Sequence, residues 1–269
     1  MADWKKIDEI TKVWIKEAGE RIRTALTNTL EISSKSNAND LVTNVDRDTE
    51  KFFINKIRET FPNHRILGEE GGGDEIEDAN GIIWVIDPID GTMNFVHTQR
   101  NFAISIGIFE DGVGKLGYIY DVSRDELFSA QKGEGAFLNG NRLENLQETS
   151  IETAIVGVNP FWLTENKRID YHLLHKLVKD ARGTRSIGSA ALEMASVAAG
   201  WFDAYIALRL SPWDFGGGWV IVEELGGKVT RLDGKPLSIL EKSSLLVAKP
   251  GVHEVIVNKY LKEFVEQKI

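Results

Sequence analysis

Trp84-Val85-Ile86-Asp87-Pro88-Ile89-Asp90-Gly91-Thr92-Met93-Asn94-Phe95 is the stretch on which the reading of this chain turns. An apolar run with the look of a buried strand ends at an acid. Pro88 cannot donate to a central ladder, and Gly91 permits a tight backbone path. The segment reads as strand, turn and helix start, with Asp87 and Asp90 presented three residues apart at the strand's end. A helix start has unpaired N–H groups, so one short segment can offer both metal-binding oxygens and a backbone cradle for phosphate. Capping explains the same residues without chemistry: Asp87 closes a turn and Asp90 begins a helix. The rest of the chain has to decide between the two.

Upstream, Ile7, Ile10, Trp14, Ala18, Ile22 and Leu26 recur at spacings of three and four, which predicts an amphipathic helix over residues 4–30. A second helix is predicted from near Asp46 to just before Pro62, with Phe52, Phe53, Ile57 and Phe61 among its apolar positions. Strand-like pieces follow at 65–67, 82–86, 103–109, 115–120 and 126–129, and Glu110-Asp111-Gly112 is a hairpin signal. A polar loop at 132–152 then gives way to alternating elements. Strands are predicted at 154–158, 182–186, 204–208, 228–231 and 245–248, and helices at 165–179, 189–199, 212–225 and 252–267. The chain thus divides into an N-terminal α+β half, residues 1–146, and a C-terminal α/β half, residues 147–269, in a layered α/β arrangement.

Composition mainly excludes. The 269 residues carry 32 Lys+Arg against 41 Asp+Glu, a formal charge of −9, so no nucleic-acid surface is expected. Cysteine is absent, which removes thiol nucleophiles, Fe–S clusters and thiolate zinc sites. Five scattered histidines form no H-E-x-x-H, and no G-x-S-x-G elbow is present. Any metal should therefore be a hard cation such as Mg2+, held by oxygens. The charged N-terminus lacks a signal-peptide core and no apolar run is long enough to span a bilayer, so a cytoplasmic, membrane-free protein is expected.

More acids stand at element ends. Gly68-Glu69-Glu70-Gly71-Gly72 follows a predicted strand, although a solvated loop would read the same way. Trp213-Asp214-Phe215-Gly216-Gly217-Gly218 puts an acid at a predicted helix start, where a plain N-cap would also suffice. Three glycines inside that helix are costly, unless another element must approach closely. Asp40 and Asp46 flank the start of the second helix, again compatible with capping. Together these acids fit two divalent cations that activate a water and stabilise a leaving oxygen at a phosphoryl centre. The D-x-x-D spacing is not the D-x-D of haloacid-dehalogenase phosphatases, and no P-loop occurs.

The motifs Gly68-Glu69-Glu70, Asp87-Pro88-Ile89-Asp90-Gly91-Thr92-Met93-Asn94-Phe95-Val96-His97 and Trp213-Asp214…Glu224-Leu225-Gly226-Gly227 resemble the signatures of the inositol monophosphatase family. The resemblance covers almost the whole chain, including Gly188-Ser189-Ala190-Ala191. It implies a layered α/β/α/β/α sandwich of the inositol monophosphatase and fructose-1,6-bisphosphatase type, and Mg2+-dependent, Li+-sensitive phosphomonoester hydrolysis. It implies that Glu69, Asp87 and the Ile89 carbonyl hold one metal and that Asp87, Asp90 and Asp214 hold a second. Glu69 would also help hold a weaker third, giving two or three Mg2+ per subunit. Thr92, paired with Asp46, would orient and help deprotonate the attacking water, and N–H groups of Gly91 and Thr92 would hold the phosphate. Lys35 and Asp40 would lie in a mobile loop, Gly188, Ser189 and Ala190 would contact the alcohol, and the protein would form a homodimer.

One position departs from the family pattern. Many inositol-selective members carry a glutamate seven residues before the Trp-Asp acid; here Ala207 stands there, with Arg209 nearby. Losing that acceptor weakens selection for a polyol, and an added cation favours a second phosphate. Ala207 is equally well read as strand packing. Fructose 1,6-bisphosphatase and NADP(H) 2′-phosphatase activities, or a mainly regulatory binding role, therefore stay open beside inositol phosphate hydrolysis.

Overall fold

The computed structural model describes residues 2–27, 31–34 and 41–264. The N-terminal half begins with α1 (Trp4–Ala25), β1 (Ile32–Ser34), β2 (Leu41–Thr43) and α2 (Asn44–Thr60). It continues with β3 (Arg65–Gly68), β4 (Ile82–Asp90), α3 (Thr92–Thr98), β5 (Ala103–Glu110) and β6 (Val113–Asp121). Three short strands complete it: β7 (Glu126–Gln131), β8 (Gly135–Leu138) and β9 (Asn141–Arg142). The C-terminal half holds β10 (Ile155–Val158), α4 (Tyr171–Asp180), β11 (Gly183–Arg185), α5 (Ala190–Ala198) and β12 (Ala204–Leu210). It ends with α6 (Pro212–Glu224), β13 (Lys228–Thr230), β14 (Ser243–Ala248) and α7 (Val252–Val255).

The strands β3 to β9 form a seven-stranded sheet in sequence order, parallel at β3–β4 and antiparallel beyond. A five-stranded sheet runs β11-β10-β12-β14-β13. Side-chain alternation sets the layers. Trp84 and Ile86 of β4 face α1 and α2, whereas Ile83 and Val85 face a core shared with α5 and α6. Tyr205 and Ala207 of β12 enter that same core from the other sheet, and Ala204, Ile206 and Leu208 face α4 and α7. The result is the expected α/β/α/β/α sandwich, with α5 and α6 in the middle layer.

The costly glycines have their explanation in that layer. A Cβ on Gly217 would lie 2.4 Å from the Tyr118 carbonyl oxygen, and one on Gly117 would lie 2.4 Å from the Gly217 carbonyl oxygen. Helix and sheet meet backbone to backbone, so each glycine's cost of about 1 kcal/mol in a helix interior is offset by the close approach.

Several boundaries differ from the sequence reading. Helix α1 stops at Ala25 rather than continuing towards residue 30. The fourth strand does not end at Asp87; it runs to Asp90 through a bulge, with Asp87 paired to Ser105 and Asp90 to Ala103. Pro88 sits inside that bulge, where the ladder asks for no N–H. The helix predicted from 165 begins at Tyr171, because the Asn166 side chain accepts from the N–H groups of Arg168 and Ile169 and holds a local turn. The long last helix is one α-turn followed by a wider π-turn over Ile256–Tyr260, which buries both Ile256 and Tyr260. The expected mobile loop with Lys35 and Asp40 lies outside the described residues.

Candidate active site

Four backbone features aim the acids at one place. The β4 bulge lets Asp87 and Asp90, 1% and 8% exposed, emerge beside each other. Gly91, at φ 90°, then turns the chain into α3. Asp214 is the third residue of α6 and accepts the Ser211 N–H at 2.7 Å, closing a capping box. Oxygens of Asp87, Asp90 and Asp214 all lie within 4.8 Å of one another. Glu69 leaves β3 alongside β4, its N–H donating to the Ile86 carbonyl at 3.3 Å. Its loop is braced from α2 by buried Glu50, which accepts from the N–H groups of Glu70 and Gly72 at 2.8 Å each.

The electrostatics follow from burial and from the acids' mutual repulsion, which Lys242 relieves only in part at Asp214. Burial raises the Asp87 carboxyl well above the carboxylate range, reinforced by Glu69, Asp90 and Asp214. Asp214 is raised in the same way, by burial and then by Asp90 and Glu69, against the Ser211 N–H and Lys242. Asp90 is pushed up to about 6 by burial, against hydrogen bonds from Ser189 and Ala191. Among the described residues no Lys or Arg forms an ion pair with Asp87, Asp90 or Asp214. Buried carboxylates in this state are expensive, and the donor set is entirely hard oxygen. A divalent cation fits both facts.

The other expected residues gather round these acids. Thr92 Oγ1 lies 3.2 Å from Asp46 Oδ1 and 3.1 Å from the Ile89 carbonyl. Asp46 also accepts the Thr43 N–H at 2.9 Å, so the capping reading and the site reading are both met by one carboxylate. Burial raises its carboxyl, Glu69 adds to that, and Thr43 and Thr92 oppose it. The turn at Gly188, Ser189 and Ala190 sits against Gly91: a Cβ there would meet Ser189 at 3.1 Å and the Gly188 carbonyl at 3.3 Å. The Ser189 hydroxyl and the Ala191 N–H both donate to Asp90 Oδ2, the latter at 2.7 Å. Ala207 is buried beside Tyr205, facing α5 and α6, as the packing alternative has it. Arg209 is exposed and makes no hydrogen bond or ion pair among the described residues.

Three supporting residues escaped the sequence reading. Glu50 stands four residues after Asp46 on α2, a spacing that puts both acids on one face. Glu193 is the lone charge in the apolar, small-residue α5. Lys242, whose Nζ lies 6.0 Å from the centre of the Trp213 ring, had no local signal.

A carboxylate cluster between the two sheets of this sandwich defines a metal-dependent phosphoesterase. Its motifs narrow the class. The chain belongs to the inositol monophosphatase family, whose model matches residues 3–266. It is 58% identical over 261 residues to the inositol-1-monophosphatase of Bacillus subtilis, covering 97% of this chain and 98% of that one. The staphylococcal inositol monophosphatase II bound to inositol monophosphate superposes with a TM-score of 0.87 at 44% identity, covering 96% of this chain and 94% of that one. The same protein bound to 2′-AMP gives 0.89 at 45% identity, covering 96% and 95%.

Proposed function

We propose that this chain is an inositol-1-monophosphatase that releases phosphate by in-line attack of water. The observation that carries the reading is the convergence of Asp87, Asp90 and Asp214 oxygens within 4.8 Å, two of the three side chains buried and one half-buried, with no ion-pair partner among the described residues. Glu69, Asp87 and the Ile89 carbonyl would hold one Mg2+, Asp87, Asp90 and Asp214 a second, and Glu69 would contribute to a third. Mg2+ held there would supply a water made nucleophilic near neutral pH and charge neutralisation at the leaving oxygen.

The chain's own groups do the positioning. The single proton of the Thr92 hydroxyl has two acceptors, Asp46 and the Ile89 carbonyl. Committed to Asp46, it leaves the Thr92 lone pairs to accept from the attacking water; the water's proton moves onto Thr92 as the hydroxyl's own proton passes to Asp46, with Glu69 as the alternative acceptor. Gly91 and Thr92 N–H groups hold the phosphate, and Gly188, Ser189, Ala190 and Asp214 meet the alcohol. The N-terminal half, residues 1–146, thus supplies most metal ligands, and the C-terminal half, residues 147–269, supplies Asp214 and substrate selection. A cytoplasmic homodimer belongs to the same reading; among the described residues no helix is long and apolar enough to cross a membrane.

The test is phosphate release with millimolar Mg2+ over inositol 1-phosphate, fructose 1,6-bisphosphate, NADP and 2′-AMP. Inositol 1-phosphate should be turned over, with inhibition by Li+. No turnover of any of the four overturns the reading. A second substrate class is favoured by one observation: two cations without ion-pair partners among the described residues, Arg209 and Lys242, stand on either side of Trp213-Asp214 along the chain, near the paired strand ends Leu210 and Ser243. A nucleoside 2′-phosphate or sugar bisphosphate would offer them an anion. Preference for those substrates over inositol 1-phosphate would select that reading.

A further inference from the structure

Helix α5, Ala190–Ala198, is buried along its whole length and carries one ionisable side chain. A carboxylate in that setting is destabilising unless polar groups meet it. Glu193 is 3% exposed and reaches back over the start of its own helix. Its Oε1 accepts the Ile187 N–H at 2.6 Å, and the Gly188 N–H also serves the carboxylate. Its Oε2 is buried without a hydrogen-bond partner, 2.5 Å from where a Cβ on Gly157 would stand. Gly157 has no side chain in the space that the glutamate needs.

The same turn is held from its other sides. Asn94 Nδ2 donates to the Ile187 carbonyl at 2.9 Å and to the Asn101 carbonyl at 2.8 Å. Ser189 and Ala191 donate to Asp90. Gly188 takes φ 83°, a conformation that needs external support to stay in one place. Glu193 is therefore a brace that comes from the middle layer, where it is remote from solvent. Burial pushes its carboxyl up to about 7, and the N–H groups of Ile187 and Gly188 oppose this.

We propose that Glu193 is a positioning residue for substrate selection, setting the turn Ile187–Ala190 against Gly91 and so the fit of the alcohol half of the substrate. This rests on the reading that the turn faces the alcohol. The phosphate half is assigned to β4 and α3, with which Glu193 makes no hydrogen bond among the described residues; its charge reaches Asp90 only through space. Its loss should raise KM for an alcohol that needs the turn and leave metal activation and phosphate handling alone.

Three variants separate this role from plain core packing. Glu193→Gln keeps an acceptor for the two N–H groups, Glu193→Leu fills the space and accepts nothing, and Glu193→Asp withdraws the carboxylate by one methylene. Each is assayed on inositol 1-phosphate and on 4-nitrophenyl phosphate, whose aryl group offers the turn no hydroxyls. Mg2+ activation and amide exchange at Ile187 and Gly188 are measured alongside. The Leu and Asp variants should raise KM for inositol 1-phosphate by about 10-fold or more, with kcat, Mg2+ activation and aryl phosphate turnover within about 3-fold. The Gln variant should restore KM, and exchange should quicken only in the other two. Equal losses on both substrates, or an unchanged KM despite faster exchange, would overturn the proposal. Should the Leu variant not fold, the Asp and Gln pair decides. Should wild-type protein fail on inositol 1-phosphate, the substrate reading fails instead; the variants are then compared on 2′-AMP, while amide exchange still tests the brace.

Discussion

The two ends of the site are built differently. The metal and phosphate end is made of backbone: a bulge at Asp87–Asp90, a left-handed glycine at Gly91, and helix starts that carry Thr92 and Asp214. Its side chains point directly at one another, and their repulsion is what a cation relieves. The end proposed to meet the alcohol is made of braces. The turn at Ile187–Ala190 is held by Glu193, Asn94 and Asp90, and Ala207 of β12 is buried in the middle-layer core. On the proposed reading, chemistry is locked into the fold's hydrogen-bond ladder, whereas substrate choice hangs on side chains outside that ladder.

That contrast can be broken. Asp87→Asn should lower turnover of every substrate by about 10³-fold while the circular dichroism spectrum is kept, since the amide removes a shared metal oxygen. Near-normal phosphate release in that variant would remove the two-metal assignment. Glu50→Leu loosens the loop of Glu69 without touching a metal position. It should raise the Mg2+ concentration for half-activation by about 10-fold, in the range seen when supporting residues behind metal ligands are lost. A shift in KM for the alcohol instead would place Glu50 at the wrong end of the comparison. Ala207→Glu should raise the preference for inositol 1-phosphate over 2′-AMP by about 10-fold, measured as the ratio of kcat/KM values. An unchanged ratio would mean that position 207 only packs and that selection lies with Arg209 and Lys242.

The smallest effect concerns stability. Asp90 is held up to about 6, and Asp87, Asp214 and Asp46 are also raised, all first by burial. In the unfolded chain such groups ionise near about 3.9. A folded-state value above the unfolded one contributes stability that is complete below about 3.9 and is lost as pH rises through the folded value. Metal-free protein should therefore melt about 5 °C higher near pH 5.5 than near pH 7.5, and saturating Mg2+ should narrow or reverse that difference. Equal Tm values without metal at both pH values would show that the carboxylates are not buried as acids.

Much of the metal end was legible in the sequence because its determinants are local. Asp111 and Gly112 make the predicted hairpin turn at φ 51° and 76°, and the run from Trp84 to Phe95 contains its own strand, turn and helix start. The bulge itself was not legible. Pro88 argues locally for a strand end, yet pairing with β5 resumes two residues later, a fact that depends on the partner strand. Glu50 and Glu193 were missed for a similar reason. Each braces N–H groups outside its own helix, 20 residues or more away for Glu50 and in the preceding turn for Glu193. A buried acid in an apolar helix is a signal in hindsight, but its partners are set by tertiary packing.

The glycine contact beneath α6 has a further consequence. Asp214 rides on that helix two residues before Gly216, and at Gly216 and Gly217 the helix backbone comes directly against the strand backbone at Ile106, Gly107 and Tyr118. Elsewhere in the core, residues of different bulk can trade places and the layers adjust. Here the spacer is the van der Waals radii of two backbones, and the Ser105 hydroxyl, donating to the Trp213 carbonyl at 3.2 Å, ties the start of the helix to β5, so the height of Asp214 above the sheet is set by the size of atoms and one hydrogen bond. Relatives that drift in every loop and in the alcohol pocket would still inherit that one dimension, as a gauge block keeps its thickness whatever is machined around it.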